Sequence, residues 1–405
     1  MTDPAAFLRS LFDRAVAVAD PMRSIAQHLP PKPSGRVIVI GAGKASARMA
    51  EAVEAAWGPC EGLVITRYGY ARPCKGIEIV EAAHPVPDAA GLRATARMLT
   101  IISALTENDF VLALISGGAS ALLVQPAGTI TLAEKQAINA ALLASGAPIS
   151  AMNTLRKHLS RVKGGQLAAA AYPAQVLALM ISDVPGDDRA FIGSGPTVGD
   201  TTTAEDARAV LAQWHIATPP SIDAALGEST VIPPHDPRLS RTTNRIIAAP
   251  AQSLAAAADL ARAHGCEVQI LGDALEGEAR SVAAEHAAHA LTLRARLKPG
   301  AAPLLLLSGG ELTVTRTGTG IGGPNAEYAL ALALALNGTP GIHAIACDTD
   351  GVDGAAEVAG AVISPVTLQT AATQGLNSAA ALAINDSHNF FAALGDQVIT
   401  GPTLT

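Results

Sequence analysis

The stretch Val37-Ile38-Val39-Ile40-Gly41-Ala42-Gly43-Lys44-Ala45-Ser46 decides how the chain is read. Four consecutive aliphatic residues, with no polar alternation, suit a strand covered on both faces, the habit of parallel sheets. Glycine punctuation follows at once, and residues 45–57 then carry apolar side chains at helical spacing. Residues 63–66, 77–80, 110–115 and 176–181 repeat the buried-strand pattern, and 92–105 repeats the helical one. Such alternation implies an α/β fold whose first lobe is a Rossmann-like, doubly wound parallel sheet.

The 405 residues suggest two to three domains at about 150 residues each. Pro219-Pro220, Pro233-Pro234 and Pro237 break the periodicity, which places the boundary near 235–243 and gives expected domains of 1–238 and 239–405. Beyond it, strands are expected at 245–248, 267–271, 304–307 and 342–346, with helices at 251–264, 278–297 and 325–336. The second lobe is therefore also α/β, and smaller.

Charge and composition exclude several classes. Lys plus Arg is 28 against 35 Asp plus Glu, a net charge of −7, which disfavours nucleic acid or an anionic membrane as partner. Two Trp, four Tyr and six Phe are too few for base-stacking platforms. The four cysteines are scattered, with no C-x-x-C spacing, and Asp3, Arg9, Asp13 and Arg14 interrupt any signal-peptide core. The longest apolar run, 328–336, falls well short of the roughly 18 residues that span a bilayer. A cytoplasmic protein is expected.

Ligands of open parallel sheets bind beyond the carboxyl ends of the strands, so the turns carry the chemistry. The first turn fails as a G-x-G-x-x-G fingerprint because Ser46 holds the third glycine's place, and Arg67 stands where an NAD site wants a carboxylate. It fails as a P-loop because Ala45 follows Lys44. What survives is Gly43, Lys44 and Ser46 at a helix start, an anion-binding arrangement. Ser116-Gly117-Gly118-Ala119-Ser120 reads as a second cradle, with two hydroxyls able to donate to phosphate or carboxylate oxygens. Ser308-Gly309-Gly310-Glu311 echoes it in the second lobe, which suggests a polyanion held in a cleft between the lobes.

Two acidic turns complete the set. Asp183, Asp187 and Asp188 follow one strand, and Asp348, Asp350 and Asp353 another; such carboxylates suit Mg²⁺ or simple Asx-type capping. The metal is expected at Asp183 and Asp187, with Asp348 and Asp350 as the second choice. Asn153, Arg156, Lys157, Ser160 and Lys163 fall at helical spacing, either as a solvated basic face or as a clamp for carboxylate or phosphate. His84, in His84-Pro85-Val86-Pro87-Asp88, is a candidate substrate contact, with Asp88 as a helix cap. His286 and His289 read as a solvated helix face.

These turns, in this order, resemble the class II glycerate 2-kinases, whose second lobe is called the MOFRL domain. The resemblance rests on residues 41–46, 84–88, 116–122, 153–165, 182–188, 193–197, 308–311, 322–327 and 347–354, and on Asn385-Asp386. It implies ATP-dependent, Mg²⁺-assisted phosphorylation of D-glycerate at the 2-hydroxyl, giving 2-phosphoglycerate and ADP, in a cleft between two α/β lobes. It also implies that Lys44 is the active-site lysine and that 116–120 binds phosphate or substrate; Asp187, from the acidic turn, is the candidate catalytic carboxylate. Asn325 and Glu327 enter as site residues through the 322–327 match. Many members carry Gly-Gly-Arg-Asn where this chain has Gly323-Pro324-Asn325, so either another charge, such as Arg316 or Lys157, serves in its place or that role is not essential. Some similar proteins bear the name hydroxypyruvate reductase, which makes NAD(P)H-dependent reduction the alternative. The implied partners are small molecules, D-glycerate and a nucleotide; oligomeric state stays open, with a homodimer as one option.

Overall fold

The run that opens the α/β pattern is β1 (Val37–Ala42), buried along its whole length. Beside it stand β2 (Glu61–Arg67), β3 (Ile77–Ala82), β4 (Phe110–Ile115), β5 (Gln175–Ile181) and β6 (Thr242–Ala248). The computed structural model describes residues 3–228, 231–354 and 356–404. Every pairing in this sheet is parallel, in the order β3-β2-β1-β4-β5-β6. That is the order of doubly wound sheets, and it reverses direction between β1 and β4. Ile38, Ile40, Val111, Ala113, Ile115, Val176 and Met180 share one core with Met98 and Ile102 of helix Ala89–Ser103. The opposite side chains, Val37, Val39, Leu112 and Leu114, are buried too, which explains why these strands lack polar alternation.

A helical satellite packs within the same unit. Leu132–Ala144, Ile149–His158, Ala204–Gln213 and Pro220–Gly227 bury Ile138, Leu142, Leu155, Leu211 and Ile222 together. Two of these helices begin with capping boxes, Thr131 with Glu134 and Thr203 with Asp206.

The chain divides into Pro21–Ala249 and a unit made of Met1–Asp20 with Pro250–Thr405. The expected division after residue 238 is thus corrected in two respects. The strand expected at 245–248 is β6 and pairs with β5, so it closes the first sheet rather than opening the second unit. Helix Pro4–Ala19 joins the second unit because Leu8 and Leu11 pack with Ala257, Ala261 and Cys266 around helix Pro250–Ala263.

In that unit β7 (Glu267–Glu278) and β8 (Leu304–Thr313) form a parallel pair, and β9 (Ala344–Cys347), β10 (Gly360–Ile363) and β11 (Gln397–Val398) form an antiparallel sheet. Helix Pro324–Leu336 is its axis, burying Leu330, Ala333 and Leu336 among Ala283, Ala287, Ile363, Phe390 and Phe391. The helix starts with proline at its first position, where no N–H is needed. No described helix is long and apolar enough to cross a membrane.

Asp353 fastens this axis. Its wholly buried carboxylate accepts from Asn325 N at 2.9 Å, Ala326 N at 2.8 Å and Asn325 Nδ2 at 3.2 Å, and His388 Nε2 lies 3.1 Å from it. Asp353→Ala removes all of these and leaves buried donors at a helix start, for an expected loss of about 1–3 kcal/mol. Urea unfolding should show an earlier midpoint in the variant; an unchanged midpoint would refute this anchoring role.

Candidate active site

Parallel strands bring every carboxyl end to one edge, and the reversal between β1 and β4 leaves room there for a ligand. The turns after those two strands are joined intimately. Gly43 has φ +140, and a Cβ on it would collide with Ser116 Oγ and lie 2.6 Å from Ser116 O. Across this contact Lys44 N donates to Gly117 O at 2.8 Å, Ala45 N to Ser116 Oγ at 3.1 Å and Ser116 N to Ala42 O at 3.2 Å. From β2, Thr66 Oγ1 donates to Gly43 O at 3.1 Å.

Two hydroxyls expected to hold an anion are consumed by this joint. Ser46 is 0% and Ser116 1% exposed. Ser46 Oγ donates to Leu114 O at 3.0 Å and sits 3.3 Å from Ser116 Oγ. Both are corrected from ligand contacts to ties within the fold. The dinucleotide pattern fails for the same reason, since Gly43 serves the approach of β4. Arg67 lies 5.2 Å from the centroid of the Tyr70 ring.

What stays approachable is the pair Gly117-Gly118, half-buried, with three candidate side chains against it. A Cβ on Gly117 would overlap Asp183 Oδ2 and lie 3.0 Å from Asp183 Cγ. A Cβ on Gly118, whose φ is +81, would lie 3.0 Å from His84 Nε2 and 3.3 Å from Lys44 Cγ. Lys44, His84 and Asp183 therefore converge on two glycines from the ends of β1, β3 and β5. Ala119 is fully buried and offers no side-chain contact. Asp88 caps helix Ala89–Ser103 through Gly91 N at 3.0 Å, as expected. Asp187 has φ +55, and its Oδ1 is buried with no hydrogen-bond partner, whereas Asp188 Oδ1 accepts from Ala190 N at 2.9 Å.

The basic segment is neither a solvated face nor an open clamp. Helix Ile149–His158 ends before Ser160 and Lys163, so the five residues do not share a helical face. Lys157 is buried and ion-paired with Asp200, which also accepts from Thr202 N at 2.7 Å and Thr202 Oγ1 at 2.6 Å. Lys163 Nζ donates to Ser120 O at 2.8 Å and Leu123 O at 3.2 Å, and Lys135 Nζ lies 3.5 Å from both Arg156 O and Leu159 O. These two lysines close the carboxyl ends of helices Ala119–Leu122 and Ile149–His158, where a cation is favoured. Burial pushes Lys135 down to about 7, aided by the neighbouring Arg156, and drives Lys163 well below the usual lysine range. Neither the half-buried Arg156 nor the exposed Arg161 has a guanidinium hydrogen bond among the described residues.

The second unit treats its candidates differently. Ser308, Gly309, Gly310 and Glu311 are not a turn but continue β8, with Ser308 opposite Gly272 and Glu311 opposite Glu276. A Cβ at Gly310 would come within 2.7 Å of Leu275 C, so that glycine serves strand pairing rather than a ligand. Asn325 caps with Asp353, and Glu327 is wholly buried, 2.6 Å from Arg280 Nε and 3.1 Å from Asn385 Nδ2. Asn385 Oδ1 in turn accepts from Thr317 N at 2.8 Å and Gly318 N at 2.9 Å. Asp348 Oδ1 accepts from Asp350 N, and Asp350 Oδ1 from Val352 N, which are Asx-type turns. Among the described residues no group of three His, Cys, Asp or Glu is placed to hold a metal. Arg316 donates to Gly318 O at 3.3 Å and Gly320 O at 3.2 Å. His286 is half-buried rather than fully solvated, and its Nδ1 lies 2.8 Å from Tyr328 Oη.

Ser194 was not singled out as a candidate in the sequence. Its Oγ donates to Asn153 Oδ1 at 2.9 Å and lies 2.8 Å from Ser120 Oγ, three positions far apart in the chain. In the sequence it stood between Gly193 and Gly195, within the 193–197 stretch that carries the resemblance.

Comparison with known proteins fits this geometry. Residues 7–227 match the family model described as Domain of unknown function (DUF4147), and residues 304–405 match the MOFRL family. The chain is 38% identical to the D-glycerate 2-kinase of Thermotoga maritima, over 100% of this chain and 97% of the relative. It is 50% identical, over 98% of this chain and 91% of the relative, to an Agrobacterium vitis protein bearing a provisional hydroxypyruvate reductase name. The crystal structure of a glycerate kinase from Thermotoga maritima superposes with a TM-score of 0.87 at 36% identity, covering 99% of this chain and 96% of that one.

Lys135 offers a test of the buried cations. Its folded value of about 7 lies below the unfolded value of 10.5, so between them the unfolded chain holds a proton that the folded chain lacks. Its contribution to stability therefore improves as pH rises above 7, by up to about 1.4 kcal/mol per pH unit, and the cost of the buried charge is fully present below 7. Lys135→Met should be more favourable relative to the parent at pH 6 than at pH 9 in denaturant unfolding. A stability difference equal at both pH values would contradict the shift.

Proposed function

Because this chain belongs to the family of glycerate 2-kinases, in which a DUF4147 domain is followed by a MOFRL domain, we infer that it transfers the γ-phosphoryl group of ATP to the 2-hydroxyl of D-glycerate, yielding 2-phosphoglycerate and ADP. The observation that carries this inference is the convergence of Lys44, His84 and Asp183 on Gly117-Gly118. Phosphoryl transfer asks a protein for positioning and charge neutralisation more than for covalent chemistry. Two glycines let phosphate oxygens approach bare backbone, and the Lys44 ammonium neutralises charge on the group in flight. His84, packed beside Lys44, orients the acceptor. The Arg156 guanidinium, without a hydrogen bond of its own, is suited to the glycerate carboxylate.

Mg²⁺ fits this site on one observation, the buried and unpartnered Oδ1 of Asp187. Asp183 and Asp187 would hold the ion, which takes oxygen ligands and offsets phosphate charge when bound. Four free cysteines suit a reducing, cytoplasmic setting. The rival, NAD(P)H-dependent hydroxypyruvate reduction, draws on the names of two relatives; against it stands the first turn, whose glycine and serine are committed to β4.

Lys44→Ala should lower kcat for glycerate-dependent ADP release by about 10²–10³ with unchanged circular dichroism. A variant retaining more than about a tenth of parental kcat would overturn the role of Lys44. Asp187→Asn should raise the Mg²⁺ concentration needed for half-maximal rate, because a hard cation loses a carboxylate ligand. An unchanged Mg²⁺ profile would exclude Asp187 as a ligand. NADPH oxidation dependent on hydroxypyruvate, without ADP formation from glycerate, would favour the rival.

A further inference from the structure

We propose that Ser120 accepts a hydrogen bond from the non-reacting hydroxyl of the phosphoryl acceptor, and so selects acid substrates that carry a second hydroxyl. This rests on the glycerate 2-kinase function inferred above. The polarity of Ser120 follows from counting protons. A hydroxyl has one proton and two lone pairs. Ser194 Oγ gives its proton to Asn153 Oδ1, which can only accept, at 2.9 Å. The 2.8 Å contact between Ser194 Oγ and Ser120 Oγ must then use the Ser120 proton. Ser120 Oγ is left as an acceptor, and it makes no other hydrogen bond among the described residues. An acceptor repels phosphate and carboxylate oxygens, the ligands first expected for this side chain, and suits an O–H donor.

The fold holds this polarity in place from both sides. Asn153 and Ser194 are 4% and 0% exposed, while Ser120 is half-buried and two residues from Gly118, so the chain of hydroxyls runs outward to the candidate site. Ser194 is kept at φ +62, between Gly193 and Gly195 at +59 and +63. A non-glycine residue seldom adopts that conformation unless its surroundings impose it. Gly164 N, donating to Ser194 O at 3.1 Å, and Gly165 N, donating to Gly195 O at 2.8 Å, hold the segment. On the other side Lys163 Nζ grips the Ser120 carbonyl at 2.8 Å.

The chemistry then chooses between the two hydroxyls of D-glycerate. The reacting hydroxyl must lose its proton, but the chain Ser120–Ser194–Asn153 ends on a neutral amide oxygen that cannot take one. The partner of Ser120 is therefore the 3-hydroxyl. A substrate lacking it leaves the Ser120 lone pair facing a methyl group, and sites built to bind a hydroxyl reject such analogues.

D-lactate supplies the probe, since it keeps the carboxylate and 2-hydroxyl and replaces the 3-hydroxyl with hydrogen. The parent protein should favour D-glycerate over D-lactate in kcat/KM by about tenfold or more, and Ser120→Ala should cut that ratio by about fivefold or more through loss on D-glycerate alone. Ser194→Ala, which keeps the Ser120 hydroxyl but frees its proton, should also lower the ratio. A purely structural role would reduce both substrates equally. Equal loss on the two substrates, or a parental ratio near one, would overturn the proposal, and the parental ratio stays decisive even if Ser120→Ala does not fold. No ADP formation from D-glycerate by the parent would remove the kinase function and this proposal with it; ADP formation with an unchanged ratio in Ser120→Ala would remove this proposal alone.

Discussion

Where the turns after β1 and β4 meet, no side chain can stand at position 43: a Cβ there would press against both the hydroxyl and the carbonyl of Ser116. Glycine lets the two turns bond to each other, Lys44 N to Gly117 O and Ala45 N to Ser116 Oγ. That joint aims the Lys44 side chain at Gly118, where His84 already lies, and leaves Asp183 beside Gly117. Strand order decides where this happens, because β1 and β4 are adjacent at the point where the winding of the sheet reverses. The local turn and the global topology thus select the same place.

Buried charge in the first unit follows a second rule. Lys157 is answered by the Asp200 carboxylate, but Lys135 and Lys163 are answered by main-chain carbonyls. A lysine taken out of water without a carboxylate gives up its proton readily, and burial lowers both accordingly. They act as struts that fix helix ends next to the site. Arg156 is more exposed than these lysines, and its guanidinium has no hydrogen bond among the described residues.

Much of the fold was legible because covered parallel strands are written as unbroken aliphatic runs. The helices expected at 251–264, 278–297 and 325–336 lie within a residue of Pro250–Ala263, Ala279–Arg296 and Pro324–Leu336. The domain boundary was misplaced because proline clusters mark a break in periodicity, whereas β6, which starts five residues after Pro237, still has a partner in β5. Ser308-Gly309-Gly310 looked like a turn since glycine usually ends a strand; here β8 carries on past them with shifted register. The fate of charged and polar side chains was least legible. Spacing placed Lys157 and Lys163 on a surface, and only tertiary packing brings Asp200 to one and two carbonyls to the other. Lys44, His84, Gly117, Gly118 and Asp183 lie together because the ends of parallel strands meet whatever separates them in sequence.

The proposed function places phosphoryl transfer to the 2-oxygen of D-glycerate at this edge of the sheet. The most direct measurement is ³¹P nuclear magnetic resonance of the product formed by the purified chain from ATP, Mg²⁺ and D-glycerate, with carbon coupling used to locate the phosphate. The expected result is a phosphate ester coupled to C2, accumulating together with ADP. An ester on C3, or no ester at all while NADPH is oxidised in the presence of hydroxypyruvate, would contradict it.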